Sequence, residues 1–235
     1  MKKIIKLFGD EYYETKGREN FEVAFSKIVE KEYYEAFVLF EEALKFQPLN
    51  AEYAFYCGLS AYYLNEQASE YFKKSASFET ENSEYQMWYG ISLYSESDYE
   101  KAKQILLYAY SLDAQNYKIR LYYIKSLNQL KQFEATERFV KNTQGVHDAS
   151  SDELFELGYS YWNRFMVEEA EEVFIKSIKL NNENIISYYF LSRLYCRGGD
   201  FEKAVSILKD LAAICPEEIT MVEKQIKAIE LMQSF

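Results

Sequence analysis

Histidine is nearly absent: His147 stands alone in 235 residues. An HExxH zinc site and any pair of imidazole ligands are therefore excluded. Proline and glycine are scarce, at two and eight residues, and an all-β chain with its many sharp turns is excluded with them. The three cysteines, Cys57, Cys196 and Cys215, stand far apart with no CxxC pair. Neither a disulfide framework nor a zinc knuckle is expected, and reduced thiols in a cytoplasm are the expected state. No run of 18 apolar residues occurs, so no membrane span is expected. The apolar run at the amino terminus (Ile4, Ile5, Leu7, Phe8) is broken by Lys6 and stops at Gly9, too short for a secretion signal. A Gly-rich phosphate loop and a nucleophile elbow are also missing. No catalytic, cofactor-binding or metal-binding residue is assigned, and no enzyme is expected.

What the chain does have is apolar and aromatic bulk: 49% hydrophobic residues, 18% aromatic. That is too much for a disordered polymer. Acidic side chains outnumber basic ones, 38 to 27, for a net charge of -11. Such a balance disfavours nucleic acid, whose phosphates attract clustered Lys and Arg.

An internal ruler organises the rest. Small residues precede an Ala by twelve places at Ala24/Ala36, Gly90/Ala102, Gly158/Ala170 and Ser192/Ala204, while Gly58 precedes Ala68 by ten. With Ile124 filling the one bulky position, the sites Ala24, Gly58, Gly90, Ile124, Gly158 and Ser192 are spaced 34, 32, 34, 34 and 34. A large apolar residue follows each Ala by four: Phe40, Phe72, Leu106, Phe174, Leu208. Both prolines, Pro48 and Pro216, fall at one site near a repeat end. Apolar residues recur at helical spacing inside each unit, as in Phe37, Phe40 and Leu44.

This pattern resembles the tetratricopeptide repeat (TPR) family, whose unit is a 34-residue helix–turn–helix. The stretch YYFLSRLYCRGGDFEKAVSILKDLAAICP carries the likeness best. Six repeats are delimited: 17–50, 51–82, 83–116, 117–150, 151–184 and 185–218. The resemblance implies an all-α fold, a right-handed α-solenoid of stacked hairpins. The small residue lets the first helix of a repeat approach the second. One hairpin cannot bury its faces alone, so stacking builds the core. Residues 219–235 read as a carboxyl-terminal capping helix with Val222, Ile226 and Ile229 on one face. Residues 1–16 read as an amino-terminal segment or short helix.

Two repeats depart from the ruler. Repeat 2 is two residues short around LNEQAS, so its turn must tighten or its second helix must start earlier. Repeat 4 places Ile124, Thr136 and Val140 where a small residue, Ala and a larger apolar residue belong. Its second helix is expected to end near Gly145 in a left-handed cap, and Ser150 with Glu153 resembles a capping box opening repeat 5. The segment TQGVHDAS (143–150) is either a hinge or an irregular rigid joint.

In the family, the first helices line a concave face that binds an extended or helical peptide. Carried onto this chain, the facing positions include Phe55, Tyr56, Leu59 and Tyr62 in repeat 2, and Trp88, Ile91 and Tyr94 in repeat 3. Repeat 4 adds Lys118, Tyr122 and Lys125, repeat 5 Tyr159 and Trp162, and repeat 6 Tyr189, Arg193 and Arg197. Aromatic anchors supply contact area and Arg supplies paired contacts to carboxylate. The implied partner is a protein or peptide with large apolar side chains and an acidic portion. Some of these aromatics can instead pack against the neighbouring first helix. Cys196 falls beside Arg193 and Arg197, either with a lowered thiol pKa or as an inert core thiol.

The subclass that grips acidic carboxyl-terminal peptides through a Lys/Asn/Arg clamp is not matched, since Phe21, Phe25, Tyr56, Glu84 and Trp88 occupy the clamp positions of the first three repeats. The groove chemistry is more similar to TPR chaperones of bacterial secretion systems. The expected function is a non-catalytic adaptor or chaperone-like binding module. The alternative is a scaffold that self-associates as a homo-oligomer through its ends or convex face, on the strength of Leu231, Met232 and Phe235.

Overall fold

The computed structural model describes residues 2–143 and 148–233, and of residues 2–10 only the backbone. Among these residues the chain is all-α, without strands. Its helices are α1 (Lys2–Val29), α2 (Tyr33–Phe46), α3 (Ala51–Tyr63), α4 (Ser69–Phe78), α5 (Ser83–Ser95), α6 (Tyr99–Leu112) and α7 (Tyr117–Gln129). There follow α8 (Phe133–Thr143), α9 (Ser151–Asn163), α10 (Val167–Leu180), α11 (Ile185–Arg197), α12 (Phe201–Ile214) and, after a 3-10 turn at Pro216–Glu218, α13 (Ile219–Gln233). None of the described helices is long and apolar enough to cross a membrane. The chain divides into two compact units, one ending at Tyr123 and one beginning at Ile124, so the division falls inside α7. The expectations for Gly145 and for a hinge at 143–150 fall largely on 144–147, outside the described residues.

Local sequence explains where the helices start. Asn50, Asn82, Asn116 and Asn184 each accept a backbone N–H from the first turn of α3, α5, α7 and α11. A side-chain acceptor there satisfies a donor that the helix itself leaves unpaired. Ser150 forms the expected capping box: Glu153 N–H donates to its hydroxyl at 3.2 Å, and its own N–H donates to the Glu153 carboxylate at 2.8 Å. Asp98 and Asp200 each accept one backbone N–H, from Lys101 and Lys203, at the starts of α6 and α12.

The turns inside the hairpins share one feature. Lys31, Asn65, Ser97, Lys131, Phe165 and Gly199 all have positive φ, between 57° and 79°. Each lies seven residues after the small site of its repeat. Only the last is glycine, so the other five hold a side chain in the left-handed region, which costs about 1 kcal/mol apiece.

Repeat 2 keeps this turn and shortens elsewhere. Asn65 is left-handed like its counterparts, and the turn does not tighten. Instead α4 is 10 residues long, against 14 in α2, α6, α10 and α12. The missing residues come from the first turn of α4, and its second-helix start is later, not earlier, relative to the hairpin turn. Ala68 at that start has no capping group. Glu96, from the end of α5, takes its place: Ser69 donates to the Glu96 carboxylate through its N–H at 3.1 Å and its hydroxyl at 2.7 Å.

The amino-terminal segment is not a separate short helix. Its backbone runs unbroken into the first helix of repeat 1 as α1. Close packing inside the hairpins follows the ruler. A Cβ at Gly58 would lie 2.8 Å from the Phe72 ring, one at Gly90 2.5 Å from Leu106, and one at Gly158 2.5 Å from Phe174. These contacts require glycine. In repeat 4 the bulk is redistributed: Ile124 on the first helix and Val140 on the second are both buried in one cluster. Volume lost on one helix is restored on the other, which keeps the interior filled.

Candidate functional site

The first helices pack on one another in each unit through a recurring pair. One member lies four residues after the small site of a repeat, and the other lies two before the small site of the next. In the unit ending at Tyr123, these are Tyr62 with Trp88, ring centroids 5.5 Å apart and edge-on, and Tyr94 with Tyr122, also 5.5 Å and edge-on. In the unit beginning at Ile124, they are Asn128 with Glu156, and Trp162 with Phe190 at 5.8 Å. Edge-on aromatic pairs add about 0.5–1.5 kcal/mol beyond burial.

Many expected site residues therefore have two duties. Tyr56, Leu59, Tyr62, Trp88, Tyr94, Tyr122, Tyr159, Trp162 and Tyr189 are half-buried. Tyr56 meets Phe25 at 4.6 Å, and Trp88 stacks on Phe72 at 5.7 Å. Tyr189 donates to Glu218 at 2.7 Å, and burial together with that carboxylate pushes its phenol up. Two residues are corrected outright. Phe55 and Ile91 are 5% and 3% exposed and belong to the core. Phe55 packs against Phe72 and Tyr85, so neither offers surface to a partner.

The four expected cations are placed differently from one another. Lys118 is exposed on the first unit. Lys125 is half-buried on the second, where its charge acts on the buried Glu156. That carboxylate accepts the Asn128 amide at 2.7 Å, and Asn128 in turn accepts the Thr136 hydroxyl at 2.8 Å. Burial pushes the Glu156 carboxyl up, against the opposing pull of Asn128 and Lys125.

Arg193 and Arg197 form the distinctive group. Both are exposed, and neither has an acidic partner among the described residues. They lie on aromatic faces instead. Arg197 sits 4.8 Å from the Trp162 ring centre and 4.7 Å from that of Phe165; Arg193 sits 5.6 Å from Phe190 and 6.0 Å from Trp162. A guanidinium so placed keeps its N–H edge free for an anion. Beside them opens a pocket of about 400 Å³, walled by Trp162, Cys196, Gln225, Ala228, Ile229 and Met232. Burial pushes the Cys196 thiol up, so it is not activated.

Phe165 and the α13 wall escaped the sequence reading. The family positions name only first helices, whereas Phe165 is a turn residue and α13 lies beyond the last repeat. One signal was available: a large aromatic stands at Phe165 where the other turns carry Lys, Asn, Ser or Gly.

Residues 154–184 match the family model for the tetratricopeptide repeat. Solved structures extend the likeness to nearly the whole chain. A tetratricopeptide repeat protein from Parabacteroides merdae superposes with TM-score 0.73 at 15% identity, over 93% of this chain and 92% of that one. The chain has the tetratricopeptide-repeat fold. PilW, described as a widely conserved type IV pilus biogenesis factor, gives 0.70 at 19% identity, over 88% of this chain and 97% of its own. YrrB, described as a TPR protein with an unusual peptide-binding site, gives 0.57 at 17% identity, over 80% and 97%. No curated protein matches the sequence.

Proposed function

We propose that this TPR chain is a non-catalytic protein-interaction module, an adaptor or chaperone-like holder of a partner segment with apolar anchors and an acidic portion. The observation that carries the reading is the pair Arg193 and Arg197, exposed and without acidic partners among the described residues of a chain whose net charge is -11. In so acidic a molecule, carboxylates are abundant enough to neutralise exposed arginines, yet these two rest on rings. The half-buried rings Trp162 and Phe190 beside them supply the apolar contact area. Unpaired thiols at Cys57, Cys196 and Cys215 fit a reducing compartment such as the cytoplasm.

Peptide display on the purified protein tests this. Selected segments are expected to combine large apolar residues with Asp or Glu. Their affinity by calorimetry should fall about tenfold with Arg193→Glu, the scale of one lost charged contact. Selection of neutral or basic segments, or indifference to that change, sinks the reading.

One observation favours a second reading, self-association. Met221, Leu231 and Met232 on α13 are at least half exposed. Light scattering across concentration decides it: a strict monomer removes this option.

A further inference from the structure

In all repeats but the second, the second helix opens on an aromatic or branched apolar residue, nine places after the small site: Tyr33, Tyr99, Phe133, Val167 and Phe201. Ring pairs show where that residue packs. Tyr33 rests on Tyr63 of the following first helix, ring centres 5.9 Å apart, and Tyr99 rests on Tyr94 of its own first helix at 5.3 Å. Repeat 2 lacks such a residue. Its second helix, α4, opens on Ser69, and Gln67 stands nine places after Gly58, outside the helix and exposed.

The corner left open there is a pocket of about 630 Å³, within the unit that ends at Tyr123. Its walls include Tyr62, which matches Tyr94 in register, and Ser95, which matches Tyr63. The opening therefore lies where a full-length repeat places its own ring, and its size is that of a small-ligand site. Tyr63 and Ala68 add apolar wall. Glu66 and Glu96 add two carboxylates, with no basic side chain among the lining residues.

The chemistry of the walls selects the occupant. A phenylalanine would fill the slot but would cover the carboxylates without offering them a donor, and drying an unpaired polar group is costly. A tyrosine brings the ring and a phenol O–H together. The same match recurs inside this chain, where Tyr189 donates to Glu218 at 2.7 Å and Tyr195 to Glu171 at 2.9 Å. Glu96 already holds Ser69 with both carboxylate oxygens, which leaves Glu66 as the acceptor.

We propose that this pocket receives a tyrosine side chain of a partner protein, which completes the shortened repeat from outside. The ring takes the place that Tyr33 and Tyr99 hold in the neighbouring repeats, against Tyr62, and its phenol donates to Glu66. The assignment rests on the interaction-module reading and adds a second contact to it, separate from Arg193 and Arg197, with a recognised residue of its own.

Titration of the full chain with N-acetyltyrosinamide, followed by amide NMR shifts, is the experiment. Saturable shifts at Ala68 and Ser95 are expected, with a dissociation constant of about 1 mM, the scale for so small a ligand. N-acetylphenylalaninamide should bind about fivefold more weakly, the worth of one hydrogen bond. Glu66→Ala should erase that preference while the ring still binds. Ser95→Phe plugs the slot from within and should abolish binding while leaving the thermal midpoint equal or higher, which separates a filled site from a lost fold. Equal binding of the two amides by the parent chain overturns the proposal, as do shifts that never saturate or binding that survives Ser95→Phe. Tighter binding of N-acetylargininamide also overturns it, because that assigns the pocket to a cation. Should the tyrosine amide fail while displayed segments still bind and still depend on Arg193, the tyrosine assignment falls and the broader reading survives. Should the displayed segments fail as well, both fall.

Discussion

Tyr94 and Asn128 occupy the same register in successive repeats, and so do their partners Tyr122 and Glu156. In the unit ending at Tyr123 the pair is two rings meeting edge-on. In the unit beginning at Ile124 it is an amide donating to a buried carboxylate. The small sites differ in the same direction. Gly58 and Gly90 admit Phe72 and Leu106, whereas Ile124 answers a smaller Val140. One architecture therefore tolerates opposite chemistry at matched places, provided volume and hydrogen bonding close locally. The cost is a difference in sensitivity. A seam of rings responds little to pH, whereas a buried carboxylate makes its unit responsive.

The comparison can be broken most forcefully at Asn128. Asn128→Ala strips the amide from a carboxylate held in the interior, and about 3 kcal/mol of stability should be lost by urea unfolding. Replacing both partners with leucine should cost far less. A small loss in the single variant would mean that Glu156 reaches water and that the two seams are not so different.

Gly158→Val comes next, at about 2–3 kcal/mol, because its Cβ would press on Phe174. Gly158→Ile combined with Phe174→Val copies the Ile124 and Val140 arrangement and should regain part of that loss. If the double variant is worse than the single, bulk cannot be exchanged between the helices.

Glu156→Gln sharpens the contrast in pH dependence. The folded-state pKa of Glu156 is raised above its ordinary 4.5, chiefly by burial. Below that ordinary value the group is protonated in both states and costs nothing. As pH rises through the raised folded pKa, the unfolded chain ionises more readily and stability falls. The glutamine variant should therefore gain on the parent between pH 4.5 and neutrality and track it in acid. Parallel denaturation profiles across that interval would refute the buried-charge account.

The smallest effect belongs to Glu137. Lys141 and Arg164 pull its carboxyl down to about 2. This is the opposite sign: its contribution is present above the ordinary carboxylate range and disappears as pH falls through about 2. The partners are partly exposed, so Glu137→Gln should cost less than about 1 kcal/mol at neutral pH and show its salt dependence there.

Much of the fold was legible in the residues because sterics wrote it twice, once as a small site and again as the large side chain that fills it. Gly58, Gly90 and Gly158 could be read against Phe72, Leu106 and Phe174 from spacing alone. The capping box at Ser150 and Glu153 was legible for a similar reason, since two side chains satisfy each other at a fixed offset. Depth was not legible. Periodicity assigns Phe55 and Ile91 to a face but does not say how far the neighbouring helix covers them. Repeat 2 misled because a deletion in sequence does not announce which element absorbs it, and Glu96 as a remote cap has no local signature. The pocket at Arg197 was half legible: the arginines were expected at a binding face, while Phe165 and the α13 wall come from a turn and a terminal helix that no repeat position describes.

The hairpin turns carry a consequence for engineering. Lys31, Asn65, Ser97 and Lys131 hold their side chains where glycine would rest without penalty. Each is a dormant stabilising site, worth at most about 0.5 kcal/mol after the greater freedom of an unfolded glycine is subtracted. Because linear repeat arrays pass a local gain to their neighbours, the melting of this molecule can be tuned one bend at a time, with the aromatic bend at Phe165 left alone.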